Sequence, residues 1–486
     1  MIADNFADLV RMNALRFPAK TALVDGASRV THAELHAALM AVAGALRDRG
    51  VGRGDIVGVA MHDTLDHVVA MLAVIRVGAV LLPMDVRWTV IERVNVAAAF
   101  GATAVLADDN LAERLGAVPV IGFDPAFRAH APIPPPPMGD LDAPMVLSLS
   151  SGTTGLPKGP MLTHRQMMLR NQSEWIGLGY SQDDVFLCAT PLYFGGGRGF
   201  TLSYLSAGAT VVLAPPPLKL PDLAAIIRRE GATTCFLVPT QLRRLAAESE
   251  AVREAFRRLR LIVSSGSALH QHEAEALRGT ASRILNLYAS TEGGAVSILY
   301  PGEEGAGSVG RPALGSTVSI ATEEGEALGS GQTGLIRHRA PWHPAGFHNN
   351  ATETARWFRD GWYYTGDVGH LDAAGFLHIT GRVKDMIIRG GVNIYPDEIE
   401  AAVIAHPAVA DASVIGLPAG ALDEEVVAFY VAAGTVSPEA LRAHCQARLA
   451  PYKVPSAFHA VEELPRNPGG KVLKAVLRQR LEAATP

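Results

Sequence analysis

The segment Ser148-Leu-Ser-Ser-Gly-Thr-Thr-Gly-Leu-Pro-Lys-Gly159 gathers small hydroxyls, glycines and one lysine into a single short stretch. Glycines leave backbone N–H groups bare, hydroxyls add further donors and Lys158 adds positive charge, so the chemistry on offer is the holding of a phosphate. It is not the Walker arrangement, which needs Gly before the lysine and Ser or Thr after it; here Pro157 and Gly159 flank Lys158. A second string, Gly305-Ala-Gly-Ser-Val-Gly310, has the spacing of a dinucleotide loop. It follows Pro301-Gly-Glu-Glu rather than a strand, and Arg311-Pro312 prevents a clean helix start, so it is set aside. No Gly-x-Ser-x-Gly elbow occurs, which argues against a lipase-like hydrolase.

The phosphate-type loop needs a strand before it and a helix after it, and the pattern supplies both. Short β-branched runs at residues 55–60, 79–82, 103–107, 145–150, 185–189, 209–213, 233–238, 259–264 and 283–288 read as strands. Between them, residues 64–77, 163–175, 221–230, 240–248 and 270–277 read as helices, after an opening helix at 6–17. This alternation predicts an α/β protein with helix-covered parallel sheets. From about Gly307, glycine and aspartate turns mark a small β-rich unit, and from about Val383 strands and helices alternate again over about 100 residues, room for a separate α+β domain.

The chain of 486 residues has room for several domains, and 48% hydrophobic with 19% charged residues is the balance of a folded protein. A net charge of -5 without charged runs argues against nucleic acid as a partner. The most apolar stretch, residues 68–84, is broken by Arg76, Gly78 and Pro83 and predicts a buried helix running into a strand, not a membrane span. Three distant cysteines, and Asp4 and Asp8 where a secretory leader would be basic then apolar, predict a cytoplasmic protein.

The Ser-Ser-Gly-Thr-Thr-Gly-x-Pro-Lys-Gly loop resembles the AMP-binding signature of the adenylate-forming superfamily, of the acyl-CoA and aryl-CoA synthetase type. Further segments match in that superfamily's order: Tyr288-Ala-Ser-Thr-Glu292, Tyr364-Thr-Gly-Asp367, Gly381-Arg-Val-Lys-Asp-Met-Ile-Ile-Arg-Gly-Gly391 and Pro465-Arg-Asn-Pro-Gly-Gly-Lys471. The resemblance spans nearly the whole chain. It implies a large N-terminal domain, residues 1–382, and a small mobile C-terminal domain, residues 383–486. It also implies ATP, Mg²⁺ and coenzyme A as cofactor and substrates, with a small carboxylic acid as the other partner, acting as a homodimer or a monomer.

By the same resemblance Ser150, Ser151, Gly152, Thr153, Thr154 and Lys158 would cradle phosphates, and Glu292 with Thr154 would hold Mg²⁺. Tyr288 would stack on adenine beside Ala289 and Thr291, Asp367 and Arg382 would take the ribose, and Lys471 would meet the carboxylate and α-phosphate. Lys384 would be the pivot of the C-terminal domain, with Arg389, Gly390 and Gly391 along the thiol channel. Phe194, Gly197, Gly266, Ser267, Ala268, Ala289, Ala295 and Val296 would line the acyl pocket, whose small apolar character implies an aromatic or medium-size apolar monocarboxylic acid.

The pattern departs from the superfamily in Pro191-Leu-Tyr-Phe-Gly-Gly-Gly-Arg-Gly199, where Phe194 stands at a position usually held by histidine. Arg198 reads as an outward-facing residue at a helix start; facing inward it would instead meet a second carboxylate. With 15 residues after Lys471 and no carrier domain, a ligase using CoA is expected. The alternative is an adenylating enzyme that passes its acyl group to a carrier protein or an amine.

Overall fold

The computed structural model describes residues 5–108, 114–131, 139–149, 158–266, 277, 279–281, 283–303, 307–389, 392–419, 424–466 and 471–484. Ser150, Ser151, Gly152, Thr153, Thr154, Ser267, Ala268, Gly390 and Gly391 lie outside these residues, as does all of the helix expected at 270–277 except Leu277.

Two large sheets form the N-terminal part. The first has seven strands, with Ile56–Ala60 at its centre between Val80–Pro83 and Ala104–Ala107, all parallel, and Pro144–Leu147 parallel beyond Val80–Pro83. Every residue of Val80–Pro83 and Ala104–Ala107 is buried, as expected of strands covered on both faces. The second sheet has nine strands and a parallel centre of Ile284–Ser290, Leu261–Ser264, Thr234–Leu237, Val185–Cys188 and Thr210–Leu213.

The apolar stretch at 68–84 resolves as read from the sequence: helix Leu65–Arg76, then strand Val80–Pro83. From Leu65 to Ile75 only Asp66 escapes burial, the mark of a helix enclosed by the core rather than lying on it. The helices His32–Asp48 and Val90–Phe100 were not anticipated, yet Thr31 with Glu34 and Thr89 with Glu92 form capping boxes whose spacing is visible in the sequence. Among the described residues no helix is long and apolar enough to cross a membrane.

Four of the site-bearing segments leave the carboxyl ends of parallel strands. Ser148 follows Pro144–Leu147, the helix Gly195–Ala207 follows Val185–Cys188, Val238 follows Thr234–Leu237, and Gly266 follows Leu261–Ser264. In open α/β sheets this is the edge where loops diverge and leave a crevice.

A five-stranded antiparallel unit comes next, in which Trp362–Leu371 pairs with both Gly334–Arg339 and Leu377–Arg382. The last unit has a three-stranded sheet, Val409–Pro418, Glu424–Ala432 and Ala457–Ala460, packed by the helices Pro396–Ile404, Pro438–Gln446 and Lys474–Ala484. Glu424 accepts from Ile388 N–H at 2.8 Å and so ties the strand pair Ile387–Arg389 and Val392–Ile394 to this sheet. Across the junction, Tyr395 packs on Gly381, where a Cβ would stand 2.6 Å from the tyrosine Cβ.

Gly310, the last glycine of the string at 305–310, has a structural role. Gly310 has φ +89° and an added Cβ would lie 2.0 Å from the Ile298 carbonyl oxygen; Leu377 N–H donates to Gly310 O and Val309 N–H to Leu377 O, each at 2.8 Å. It leads into the strand Arg311–Pro312, not into a helix. Gly310→Ala therefore combines a left-handed backbone with a clash against main chain and should cost about 3 kcal/mol. The expected readout is a clearly lowered urea midpoint, and an unchanged midpoint would refute the close approach.

Candidate active site

A cavity of about 700 Å³ opens where these strand ends, the small β unit and the last unit meet. Seven cationic side chains line it (Lys158, Arg170, Arg198, Arg356, Arg382, Lys384 and Lys471) against three anionic ones, Glu174, Glu292 and Asp367. Such an excess fits a ligand carrying several negative charges.

On one side the geometry is set by strand pairing. Asp367 and Arg382 stand opposite each other in register, and Arg382 Nε meets Asp367 Oδ1 at 3.0 Å. Asp367 is 5% exposed, and it also accepts from the Tyr288 hydroxyl. The Asp367 carboxylate raises the Arg382 guanidinium above its ordinary value, while burial and the same carboxylate push the Tyr288 phenol well up. Ala289, Thr291 and Glu292 line the wall beside Tyr288.

Lys158 is ion-paired with Glu353 from the helix Ala351–Trp357, and Glu353 also accepts from Trp357 Nε1 at 2.9 Å. Glu292 is 9% exposed and sits on the cavity wall, its backbone carbonyl accepting from Arg170 Nη2 at 2.5 Å. Among the described residues no group of three or more His, Cys, Asp or Glu could hold a metal ion by itself. One buried carboxylate on the wall of a cation-rich cavity does fit a magnesium ion that arrives with a nucleotide and keeps phosphates and waters as most of its shell.

Lys471 reaches the same cavity from the last unit. The bridge between Arg466 and Val472, and the bond from Leu473 N–H to Pro465 O at 2.8 Å, fix the backbone around it. Burial first, then the charges of Arg382 and Lys384, push its amine down to about 7. Lys384 also lines the cavity, within the turn Val383–Asp385. Arg389 does not; it donates to Tyr452 O at 2.8 Å.

The apolar half differs from the expected lining. Phe194, Gly266 and Ala289 are there, but Gly197, Ala295 and Val296 are not. Gly197 is bare because a Cβ would meet Pro191 O at 2.3 Å and Thr190 O at 2.4 Å, a packing need within its own loop. Ala295 and Val296 are core residues, 3% and 0% exposed. The wall is completed by Phe200, Leu202, Phe236, Val238, Met145 and Met167, none of which carries a local motif. Glu174 and Arg170 were also missed. Both lie on the helix His164–Glu174, and burial, opposed by the Arg170 charge, pushes the Glu174 carboxyl up to about 7.

Arg198 corrects the sequence reading outright. It is 6% exposed, faces the cavity, and donates to Tyr193 O at 2.8 Å and Ser148 Oγ at 3.0 Å. The outward placement failed because residues 191–194 turn the start of this helix into the crevice, so that Phe194 and Arg198, one helical turn apart, both line the cavity.

This architecture is that of the adenylate-forming enzymes. Within that class the chain belongs to the AMP-binding enzyme family: the family model matches residues 10–347, and that for the AMP-binding enzyme C-terminal domain matches residues 398–471. It is 30% identical to a 2-succinylbenzoate–CoA ligase of Bacillus licheniformis over 94% of this chain and 96% of that one. It is also 30% identical to a fatty acid–acyl-carrier-protein ligase of Streptomyces coeruleorubidus, over 95% of this chain and 94% of the other. The o-succinylbenzoate CoA synthetase of Bacillus subtilis, solved with its acyl-adenylate intermediate, superimposes with a TM-score of 0.88 at 29% identity, covering 97% of each chain. That enzyme has also been solved with ATP and a magnesium ion.

The low pKa of Lys471 has a measurable consequence. With its pKa near 7 the amine is largely neutral at pH 8, and a polyanion beside it favours the protonated form. ATP binding should therefore take up close to one proton at pH 8 and almost none at pH 6, where the amine is already charged. Calorimetry in buffers of different ionisation enthalpy reads this directly. Equal uptake at both pH values, or the same uptake in Lys471→Met, would refute the assignment.

Proposed function

We propose that this chain is an AMP-forming acid–thiol ligase, an ATP-dependent carboxylic acid:CoA ligase. A carboxylate oxygen attacks the α-phosphorus of ATP and pyrophosphate leaves; the CoA thiol then attacks the carbonyl of the acyl-adenylate and AMP leaves. The observation that carries this reading is the entry of Lys471 from the last unit into the cavity that holds the Asp367–Arg382 pair. A cation there faces the charge that develops as carboxylate and α-phosphate meet, and stabilising that charge is most of what phosphoryl-type transfer requires.

In this reading Asp367 and Arg382 take the ribose and Tyr288, Ala289 and Thr291 the adenine. Lys158, with Ser150, Ser151, Gly152, Thr153 and Thr154, takes the β- and γ-phosphates. Magnesium, when bound with ATP, neutralises phosphate charge, and Glu292 with Thr154 would hold it. The units are residues 1–382 and 383–486, and Lys384 is the pivot about which the second turns to bring Arg389, Gly390 and Gly391 to the thiol. Phe200, Phe236, Leu202 and Val238 favour an acid with an aromatic or medium-size apolar body. The compartment in this reading is the cytoplasm.

The acyl-carrier-protein ligase among the relatives supports a second reading, in which a carrier protein replaces CoA as the acceptor. Pyrophosphate release across an acid panel, with and without CoA and with products identified by mass, separates the two: acyl-CoA formed with turnover supports the first, CoA-independent adenylate the second. Lys471→Ala should abolish adenylation while thioester formation from supplied acyl-adenylate survives; equal loss of both would refute its role.

A further inference from the structure

We propose that the acid this enzyme activates carries a second carboxylate, and that Arg198 binds it; this deepens the ligase reading and rests on it. Arg198 is the fourth residue of the helix Gly195–Ala207 and is 6% exposed. Its two hydrogen bonds, to Tyr193 O and Ser148 Oγ, go to neutral acceptors. Two of its five N–H donors are so used, one on each terminal nitrogen, leaving three. Among the described residues no carboxylate stands within ion-pair distance of it, and burial is what lowers the guanidinium, to about 10. His67 supplies no charge either: burial, aided by the Arg198 charge, pushes it down to about 3. The carboxyl of Glu174, on the same cavity, feels Arg170 and not Arg198. A buried cation without a counter-charge is expensive to keep.

The surroundings leave room for an anion to complete it. Gly195 and Gly199, which flank Arg198 on the cavity wall, have nothing within 4 Å of where a Cβ would be. The helix begins at Phe194 without a side-chain cap, so its first N–H groups and its dipole add to the positive field. Phe200 and Phe236, 5.2 Å apart between ring centroids, provide the apolar wall for the body of the acid. Arginine's fork matches a carboxylate with two parallel donors. The cavity carries other cations, Lys158, Arg382 and Lys471, for the nucleotide.

The test uses matched acids, such as hexanoic acid, adipic acid and adipic acid monomethyl ester, and an aromatic set built the same way, with pyrophosphate release as the readout. In the unaltered enzyme kcat/KM for the dicarboxylic acid should exceed that for both the single acid and the ester by at least about tenfold in one of the sets, because the analogues leave the cation unpaired. Arg198→Gln should collapse that ratio chiefly through KM, and Arg198→Lys should keep part of it. A ratio near one in the unaltered enzyme, or one that Arg198→Gln leaves intact, overturns the proposal. If Arg198→Gln fails to fold, the comparison of acid with ester decides alone. Should no acid of either kind release pyrophosphate, it is the ligase reading that fails.

Discussion

Concentrated positive charge is the constraint on which this molecule turns. Seven cations meet three anions around one cavity, and like charges brought together before a ligand arrives repel one another. The scaffold resists this by anchoring four of them to different elements. Arg382 is held by strand register opposite Asp367, Arg170 by the main-chain carbonyls of Thr291 and Glu292, Arg198 by Tyr193 and Ser148, and Lys158 by Glu353. The parallel sheets make this possible because their carboxyl ends deliver segments far apart in sequence to one crevice.

The unequal titration of these cations follows from the same arrangement. Arg382 has its carboxylate and is raised, whereas Lys471 comes last, from a separate unit, into a field already positive and is driven down to about 7. In the proposed rotation of the last unit, its arrival and the protonation of its lysine would be coupled: docking without a polyanion favours the neutral amine. Glu424 plays a quieter part, fastening the Ile387–Arg389 strand that follows the turn Val383–Asp385 to the sheet of that unit.

Strand positions, the enclosed helix at Leu65–Arg76 and the segments around Tyr288, Asp367 and Lys471 were legible in the sequence because each depends on local pattern or on motif order. The apolar half of the cavity was not. Its lining is decided by which faces of the helices His164–Glu174 and Gly195–Ala207 turn inward, and by Phe236, which no motif marks. Gly197, Ala295 and Val296 lie close in sequence to lining residues, yet Gly197 is packed against the Thr190 and Pro191 carbonyls, and Ala295 and Val296 are buried in two different core clusters. Arg198 was misplaced for the same reason, since charge alone argued for solvent while the turn at residues 191–194 carried it inward. Two capping boxes, Thr31 with Glu34 and Thr89 with Glu92, were readable and overlooked.

The pairing of Lys158 with Glu353 sets a threshold as well as an anchor. A tethered carboxylate competes for that lysine at a fixed and high effective concentration, whatever the solution contains. A small anion meeting Lys158 alone must win that contest with a single contact, and at ordinary concentrations it loses. A polyphosphate that reaches Lys158, Arg356 and Lys471 together spreads the displacement over several contacts. With the proposed nucleotide site, the cavity would therefore discriminate by valency, turning away simple salts that carry the right sign of charge but too little of it.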